Sequence, residues 1–197
     1  MAKKGNLIVV SGPSGAGKTT IINNFLKKRG GENFRFSVSA TTRPKRAGEV
    51  DGRDYFFLTR EEFLEKLKRG EFLEHVEHLG NLYGTLRGEV EEYLERGANV
   101  ILDIDERGAA QIMDWTRDGL FIYIMPPSME ILSERLANRR TEDEESFRLR
   151  ISAAQEQVLE RKKYDQIIVN RDVEESVQVF GKMVDEYLKH VNRRSTK

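Results

Sequence analysis

The sequence predicts an α/β fold in which a parallel sheet is flanked by helices. Two observations carry this prediction. Apolar runs alternate along the chain with segments whose apolar residues recur at helical spacing. A glycine-rich segment joins the first apolar run to the first helical segment. Residues 7–10, 99–105, 120–125 and 166–169 supply apolar runs for the sheet, and because parallel strands are buried on both faces we expect helices on each side.

The glycine-rich segment has the spacing of a phosphate-binding loop, Gly-x-x-x-x-Gly-Lys-Thr, from Gly12 to Thr19. Glycines let successive backbone N–H groups converge on phosphate oxygens, and the following helix turns its positive end toward the same anion. Lys18 is expected to reach the β- and γ-phosphates of a nucleotide, and the Thr19 hydroxyl to ligate Mg²⁺. A plain turn is the alternative, which the flanking strand and helix disfavour. The predicted nucleotide-binding residues are Gly12, Pro13, Ser14, Gly15, Ala16, Gly17, Lys18, Thr19 and Thr20.

The segment after the first helix predicts a small mixed lobe. Residues 33–39 alternate as a strand does, whereas residues 40–55 are irregular and rich in groups that bind anions, which indicates a functional loop. Thr59 and Glu62 form a capping box at the start of a helix that ends at Gly70. The other elements expected in the lobe are strands at 56–58 and 71–79, a turn at 81–85 and a helix at 89–96.

The second half of the chain returns to alternating strands and helices. The apolar run 99–105 contains Asp103 and ends in Asp105, and a parallel strand delivers such carboxylates to the carboxyl edge of the sheet, where a second Mg²⁺-organising residue is expected. Ser128 is predicted to cap a helix that runs to about Asn138. The remaining elements expected are a helix at 108–115, a long helix after residue 145, and a final helix ending near residue 190.

The composition indicates one globular domain without a strong net charge. Its 197 residues suffice for a core with inserted lobes. Lys and Arg number 33, as do Asp and Glu, so no overall field attracts nucleic acid or an anionic membrane. The chain has no cysteine, and no apolar run is as long as a signal-peptide core or a membrane span. We therefore expect a cytoplasmic protein whose anion sites are local clusters.

Residues 36–55, FSVSATTRPKRAGEVDGRDY, resemble the signature of the guanylate kinases. Further segments resemble that family in order: residues 71–74, 82–85, 101–105, 125–128, 152–155 and 168–170. The resemblance covers about residues 6–190, and its first segment is more specific than the phosphate-binding loop.

The resemblance implies the fold of a P-loop nucleoside monophosphate kinase, with a parallel core sheet of five strands flanked by helices, and a single domain over residues 1–197. Its core would comprise about residues 1–34, 97–134 and 151–190, its GMP-binding lobe about 35–96, and its helical lid about 135–150. The implied activity is transfer of the γ-phosphate of ATP to GMP with Mg²⁺, giving ADP and GDP, in purine nucleotide metabolism and GMP recycling. A further candidate substrate is dGMP. No nucleic acid or membrane partner is expected, and monomer and homo-oligomer both remain open.

The resemblance also implies roles for individual residues. Glu74 would accept hydrogen bonds from N1 and N2 of guanine, while the hydroxyls of Ser39 and Thr85 would reach O6 and N7. The implied GMP-binding residues are Ser39, Arg43, Arg46, Glu49, Tyr55, Glu74, Tyr83, Thr85 and Asp103, with Arg43, Arg46, Tyr55 and Tyr83 on the phosphate. The implied catalytic residues are Lys18, Arg43, Arg135, Arg139 and Arg150, and Asn170 would contact the adenine of ATP.

Three positions depart from the family pattern. Leu82 stands where an aromatic residue is expected, Glu106-Arg107 replaces an apolar-Gln pair, and Arg140 replaces a glycine after Arg139. None of these changes removes a group needed for chemistry, but the last leaves open which of Arg139 and Arg140 belongs to the lid.

Two other functions are compatible with parts of the pattern. Guanylate-kinase-like domains of scaffold proteins bind phosphopeptides at the former GMP site, but they typically lack a working phosphate-binding loop, which is complete here. Another P-loop kinase, acting on AMP, dTMP or a sugar phosphate, is disfavoured by the combination of Ser39, Glu74 and Thr85.

Overall fold

The computed structural model describes residues 4–30, 32–137 and 161–194. The strands are β1 (Leu7–Ser11), β2 (Phe34–Phe36), β3 (Ala40–Thr41), β4 (Phe56–Phe57), β5 (Phe72–His78), β6 (Asn81–Leu86), β7 (Asn99–Asp103), β8 (Gly119–Met125) and β9 (Gln166–Val169). The helices are α1 (Lys18–Lys28), α2 (Arg60–Lys68), α3 (Arg87–Glu95), α4 (Glu106–Trp115), α5 (Met129–Ala137) and α6 (Val173–Arg194), with a 3₁₀ turn at Arg161–Lys163.

A parallel sheet of five strands, in the order β2-β7-β1-β8-β9, confirms the predicted fold class. All five residues of β1 are buried, and so are the central residues of β7 and β8, as expected for strands covered on both faces. Helices α1 and α6 pack together through Phe25 and Phe180, whose rings meet edge to face with centroids 5.0 Å apart. This aromatic pair joins the helix that follows the phosphate-binding loop to the last helix of the chain.

A second, mixed sheet has four strands in the order β4-β3-β6-β5. Strands β3 and β4 run parallel, whereas β6 is antiparallel to both β3 and β5. The sheet is held by its own small core of Ala40, Phe63, Phe72 and Leu82, in which the rings of Phe63 and Phe72 stack with centroids 4.3 Å apart. Leu82 fills this core, which accounts for an aliphatic residue at that position.

The predicted capping box at the start of α2 is confirmed. The Thr59 hydroxyl accepts a hydrogen bond from the backbone N–H of Glu62, and the Glu62 carboxylate accepts one from the backbone N–H of Thr59. Ser128 also caps its helix as predicted, because its hydroxyl accepts a hydrogen bond from the backbone N–H of Ile131 at 3.3 Å.

The predicted turn at residues 81–85 is wrong, because these residues form strand β6. The turn lies two residues earlier, at Leu79 and Gly80, whose φ angles of 48° and 74° are those of a tight hairpin. Gly84 lies within this strand, where a Cβ would come within 2.8 Å of the Phe72 ring.

The predicted strand at 33–39 is also too long. Strand β2 ends at Phe36, and β3, which begins at Ala40, belongs to the other sheet. The segment 40–55 therefore starts as a strand rather than as a loop. The regular alternation of residue types continued across the point where the chain changes sheets.

The chain divides into two compact units, each built from three stretches. One comprises Met1–Leu7, Asn33–Leu102 and Arg107–Gly119, and the other comprises Ile8–Glu32, Asp103–Glu106 and Leu120–Lys197. Within the described ranges, no helix combines the length and the apolar character needed to cross a membrane.

Candidate functional site

The phosphate-binding loop has a backbone that requires glycine. Gly12, Gly15 and Gly17 have φ angles of 135°, 86° and 95°, a region that L-residues with a Cβ rarely adopt. A Cβ at Gly12 would lie 1.9 Å from the carbonyl oxygen of Ile124 in β8. The loop is thus seated directly on the neighbouring strand, which brings its backbone N–H groups to the carboxyl end of the sheet.

Lys18 and Thr19 begin α1 directly after this loop. The Lys18 ammonium donates hydrogen bonds to the carbonyl oxygens of Gly12 at 2.6 Å and Pro13 at 3.3 Å. The Thr19 hydroxyl donates to the Asp103 carboxylate at 2.6 Å, and the other oxygen of Asp103 lies 3.9 Å from the Lys18 ammonium. Asp103, the last residue of β7, is therefore at the phosphate-binding loop, as expected for a carboxylate at the end of a parallel strand.

The oxygen donors of Thr19 and Asp103 fit a magnesium ion. Mg²⁺ is usually held by one or two protein oxygens, with waters and substrate phosphates completing its shell. The described residues contain no group of three or more His, Cys, Asp or Glu that could hold a metal by itself. The pair formed by Thr19 and Asp103 suits a metal that is bound together with a nucleotide.

Asn170, which is 1% exposed, contacts the backbone of the phosphate-binding loop. Its amide nitrogen donates to the carbonyl oxygen of Ala16 at 2.7 Å, and its amide oxygen accepts a hydrogen bond from the Ser176 hydroxyl at 3.0 Å. A Cβ at Gly17 would lie 2.3 Å from the same amide nitrogen. The structure thus gives Asn170 a contact with the loop, and its predicted contact with adenine stays a prediction.

Glu106, at the first turn of α4, is a buried carboxyl that the sequence did not mark as functional. Burial raises its pKa above the ordinary value, while the nearby charge of Lys18 opposes this effect. The Tyr123 hydroxyl donates a hydrogen bond to Glu106 at 3.4 Å. Lys18 therefore has a second acidic neighbour besides Asp103.

In the unit that holds the mixed sheet, Arg43 is the centre of a cluster of polar and aromatic side chains. Its guanidinium donates to Glu49 at 2.7 Å and lies 5.5 Å from the ring centroid of Tyr55 and 5.8 Å from that of Phe57. The rings of Tyr55 and Tyr83 meet edge to face with centroids 6.2 Å apart. The hydrogen bond from Arg43 lowers the pKa of Glu49, so this carboxylate is ionised when it orients the guanidinium.

The second carboxylate oxygen of Glu49 accepts a hydrogen bond from the backbone N–H of Arg46 at 2.7 Å. One acidic residue thus fixes both the side chain of Arg43 and the backbone of Arg46. Of the four residues predicted to hold the GMP phosphate, Arg43, Tyr55 and Tyr83 are in one cluster, and Arg46 is joined to it through Glu49.

Glu74 and Thr85 form a buried pair on adjacent strands. They are paired in the register of β5 and β6, and the Thr85 hydroxyl donates to the Glu74 carboxylate at 2.7 Å. Glu74 is 3% exposed. Tyr83 lies two residues from Thr85 and therefore on the same face of β6, and Ser39 directly precedes β3, which pairs with β6.

Two threonines that were not among the predicted site residues hold β6 in place. The Thr41 hydroxyl donates to the carbonyl oxygen of Leu82 at 3.0 Å, and the Thr42 hydroxyl accepts from the backbone N–H of Leu82 at 2.9 Å. They fix the backbone next to Tyr83. Both lie in the segment 36–55 that resembles the family signature, and this position is the sequence signal that indicates them.

The arginines predicted for the lid lie at or beyond the end of the described part of α5. Arg135 lies on α5, and Arg139 and Arg150 lie outside the described residues, as does Arg140.

The phosphate-binding loop and the residues next to it define a class of protein. A loop of this conformation at the end of a parallel sheet, followed by Lys-Thr and facing an aspartate, defines a P-loop nucleotide-binding protein. The model of the guanylate kinase family matches residues 4–187. The chain belongs to the guanylate kinase family, whose members transfer a phosphoryl group from ATP to GMP.

Individual relatives cover nearly the whole chain. The guanylate kinase of Thermotoga maritima is 45% identical over 194 residues, which is 98% of this chain and 93% of that protein. The guanylate kinase of Symbiobacterium thermophilum is 49% identical, over 88% of this chain and 82% of its own. The crystal structure of guanylate kinase from Anaplasma phagocytophilum matches with a TM-score of 0.76 and 35% identity, covering 94% of this chain and 87% of that one.

Proposed function

We propose that this chain transfers the γ-phosphoryl group of ATP to GMP, giving ADP and GDP, in the cytoplasm, where purine nucleotides are recycled. The observation that carries the proposal is the buried Glu74 carboxylate, which the Thr85 hydroxyl contacts at 2.7 Å on the sheet that also presents Tyr83. A carboxylate in this setting matches the N1 and N2 donors of guanine, and adenine would leave it unmatched.

The ATP end of the reaction is the phosphate-binding loop. Its backbone N–H groups and the positive end of α1 bind the phosphates, and Lys18 exchanges its carbonyl contacts for the β- and γ-phosphate oxygens. Thr19 and Asp103 would hold Mg²⁺, which neutralises developing charge on the phosphates when bound. Lys18 stabilises the same charge from the protein side.

The GMP end is the cluster around Arg43. Arg43 and Arg46 bind the GMP phosphate through their guanidinium groups, and the hydroxyls of Tyr55 and Tyr83 add donors. Glu49 keeps Arg43 in place between substrate encounters. The second pKa of a phosphate monoester is about 6, so the attacking oxygen is ionised near neutral pH and needs no general base.

Three further arginines complete the proposed catalytic set. Arg135, Arg139 and Arg150 are proposed to neutralise the transferring phosphoryl group from a lid at about residues 135–150, by resemblance to the family. The corresponding proposal for the rest of the chain is a GMP-binding lobe at about 35–96 and a core formed by the remainder. Charge supplied only when both substrates are bound would spare ATP from hydrolysis.

A coupled assay of ADP release against GMP, dGMP, AMP and dTMP tests the proposal. We expect turnover with GMP that exceeds turnover with AMP and dTMP by orders of magnitude. ADP release that does not depend on GMP, or a preference for AMP, would contradict it. Failure to bind ATP with Mg²⁺ would instead favour a phosphopeptide-binding module.

A further inference from the structure

Helix α4 contacts the strand that carries Glu74. The side-chain amide of Gln111 makes two hydrogen bonds to the backbone of His75. Its nitrogen donates to the His75 carbonyl oxygen at 2.8 Å, and its oxygen accepts from the His75 N–H at 3.1 Å. Strand β5 is at the edge of its sheet, so Gln111 supplies the donor and acceptor that a further strand would provide there.

The pairing of strand β5 is irregular just before this contact. The register between β5 and β6 shifts between Phe72 and Glu74. A bulge re-aims the side chains that follow it and interrupts the ladder that would fix them. The contact at His75 secures the strand directly after Glu74.

Gly108 lies three residues before Gln111 on α4, and therefore on the same face of the helix. A Cβ at Gly108 would lie 2.4 Å from Oε2 of Glu74 and 3.0 Å from its Cδ. The helix backbone thus lies directly against one carboxylate oxygen, while the Thr85 hydroxyl binds the other. The carboxylate is held between a helix and a strand.

We infer that Gly108 and Gln111 are positioning residues for guanine selectivity, which act by fixing the Glu74 carboxylate. The inference rests on the proposed function, because it holds that α4 positions the Glu74 carboxylate, which is proposed to recognise guanine. Neither residue touches the nucleotide in this account. A hydrogen-bonded reader discriminates only when its oxygens are placed within a fraction of an ångström.

Gly108→Ala is the direct test, because the added methyl group displaces the end of a side chain rather than backbone. We expect the KM for GMP to rise about 10- to 100-fold, the range set by one misplaced hydrogen bond to a charged group. The preference for GMP over AMP should fall in parallel. The kcat at saturating GMP and the KM for ATP should stay within about twofold of wild type, because the substitution leaves the contacts of the phosphate-binding loop unchanged.

Gly88→Ala is the matched control. Gly88 is a helical glycine in the same unit, at the start of α3, and a Cβ there would meet nothing within 4 Å. This variant should keep the wild-type KM for GMP and the wild-type preference.

Gln111→Glu provides a second test should Gly108→Ala fold poorly. It keeps the size and the acceptor but loses the donor to His75. We expect a higher KM for GMP with kcat maintained. The inference would be overturned if both variants kept the wild-type KM for GMP, or if kcat fell equally with GMP and with AMP. A wild-type protein that prefers GMP would still support the proposed function in either case. A wild type that prefers AMP would overturn the proposed function itself.

Discussion

The Lys18 ammonium is held by hydrogen bonds to two backbone carbonyl groups of its own loop. Within the described part of the chain it forms no close ion pair, so its positive charge is available to a phosphate that binds in the loop. The nearest approach to Asp103 is 3.9 Å. A cation held in this way can move to an incoming phosphate by exchanging one set of oxygens for another.

Replacing Lys18 with Ala should lower kcat by about 10²- to 10³-fold, the usual cost of removing one preorganised donor from a transition-state site. The fold should be retained, since the Lys18 side chain bonds, among the described residues, only to carbonyl groups of its own loop and is not part of the apolar core. Steady-state kinetics and a thermal melt measure both effects, with Lys27→Ala on the exposed face of the same helix as control. Near-normal turnover of Lys18→Ala would exclude its catalytic role.

Glu74→Gln should lower kcat/KM for GMP by about 10- to 100-fold, because an amide presents a donor where the guanine N1–H and N2–H need acceptors. Turnover with AMP should not fall. Glu77→Gln, at an exposed position of the same strand, is the control in an assay of both nucleotides. An unchanged preference for GMP would mean that guanine is read elsewhere.

Glu106 makes stability depend on pH in a direction opposite to that of a paired surface carboxylate. Its pKa in the folded chain is raised by burial, so the folded state binds the proton more tightly than the unfolded state does. Stability is therefore greatest below the unfolded pKa and is lost as pH rises through the folded pKa.

Glu106→Gln should remove this loss, so the variant should melt at a higher temperature than wild type near pH 7.5, and the difference should shrink as pH falls toward about 4.5. Melting curves across this pH range make the comparison. Exposed Glu95→Gln should leave the profile unchanged. A lower melting temperature for Glu106→Gln at pH 7.5 would show that the charged form stabilises the fold.

At the scale of elements, the loop depends on a strand end that is far from it in sequence. Asn170 follows β9, and its amide is shared between Ala16 and Ser176. Because all three groups are buried or nearly so, water cannot replace the lost partner in a truncated variant.

Asn170→Ala should lower the free energy of unfolding by about 1–3 kcal/mol and raise the KM for ATP, because the carbonyl of Ala16 loses its donor and the loop loosens. Urea denaturation and ATP titration measure the two effects. Asn23→Ala, on the exposed side of α1, is the control. A stable variant with a normal KM for ATP would contradict the assignment.

Elements defined by contiguous residues could be predicted from sequence, and elements defined by distant contacts could not. The loop, the capping box at Thr59 and the strand that delivers Asp103 follow from local spacing. The turn predicted at residues 81–85 is wrong because a glycine within a short segment indicates a turn locally, whereas Gly84 lies in a strand where it leaves room for the Phe72 ring. The contact of Gln111 with His75 spans 36 positions and leaves no local signature.

At the scale of the whole molecule, Arg43 and Glu74 of the proposed GMP-binding set lie in one compact unit, whereas Lys18 of the proposed ATP-binding set lies in the other, together with Asp103. Binding to one unit protects that unit directly. Each substrate should therefore leave a separate signature in hydrogen exchange.

GMP should slow exchange at residues 39–57 and 72–86, and a non-hydrolysable ATP analogue with Mg²⁺ should slow exchange at residues 12–20. Either ligand at 100 times its Kd should stabilise the chain by about 2.7 kcal/mol, and hence raise Tm by about 5–10 °C. Protection of residues 12–20 by GMP alone, with none on the mixed sheet, would contradict the assignment.

Each unit is built from stretches that are separated in the sequence, and this limits where genes of this family can recombine without loss of function. A gene fragment that encodes Asn33–Leu102 carries Glu74 and the Arg43 cluster but leaves α4 behind. A chimera with its downstream crossover before Gly108 would pair an incoming carboxylate with a foreign helix, and base selectivity would then depend on whether that helix has a glycine there. Only a breakpoint beyond Gln111 transfers Glu74 together with the two residues of α4 that position it.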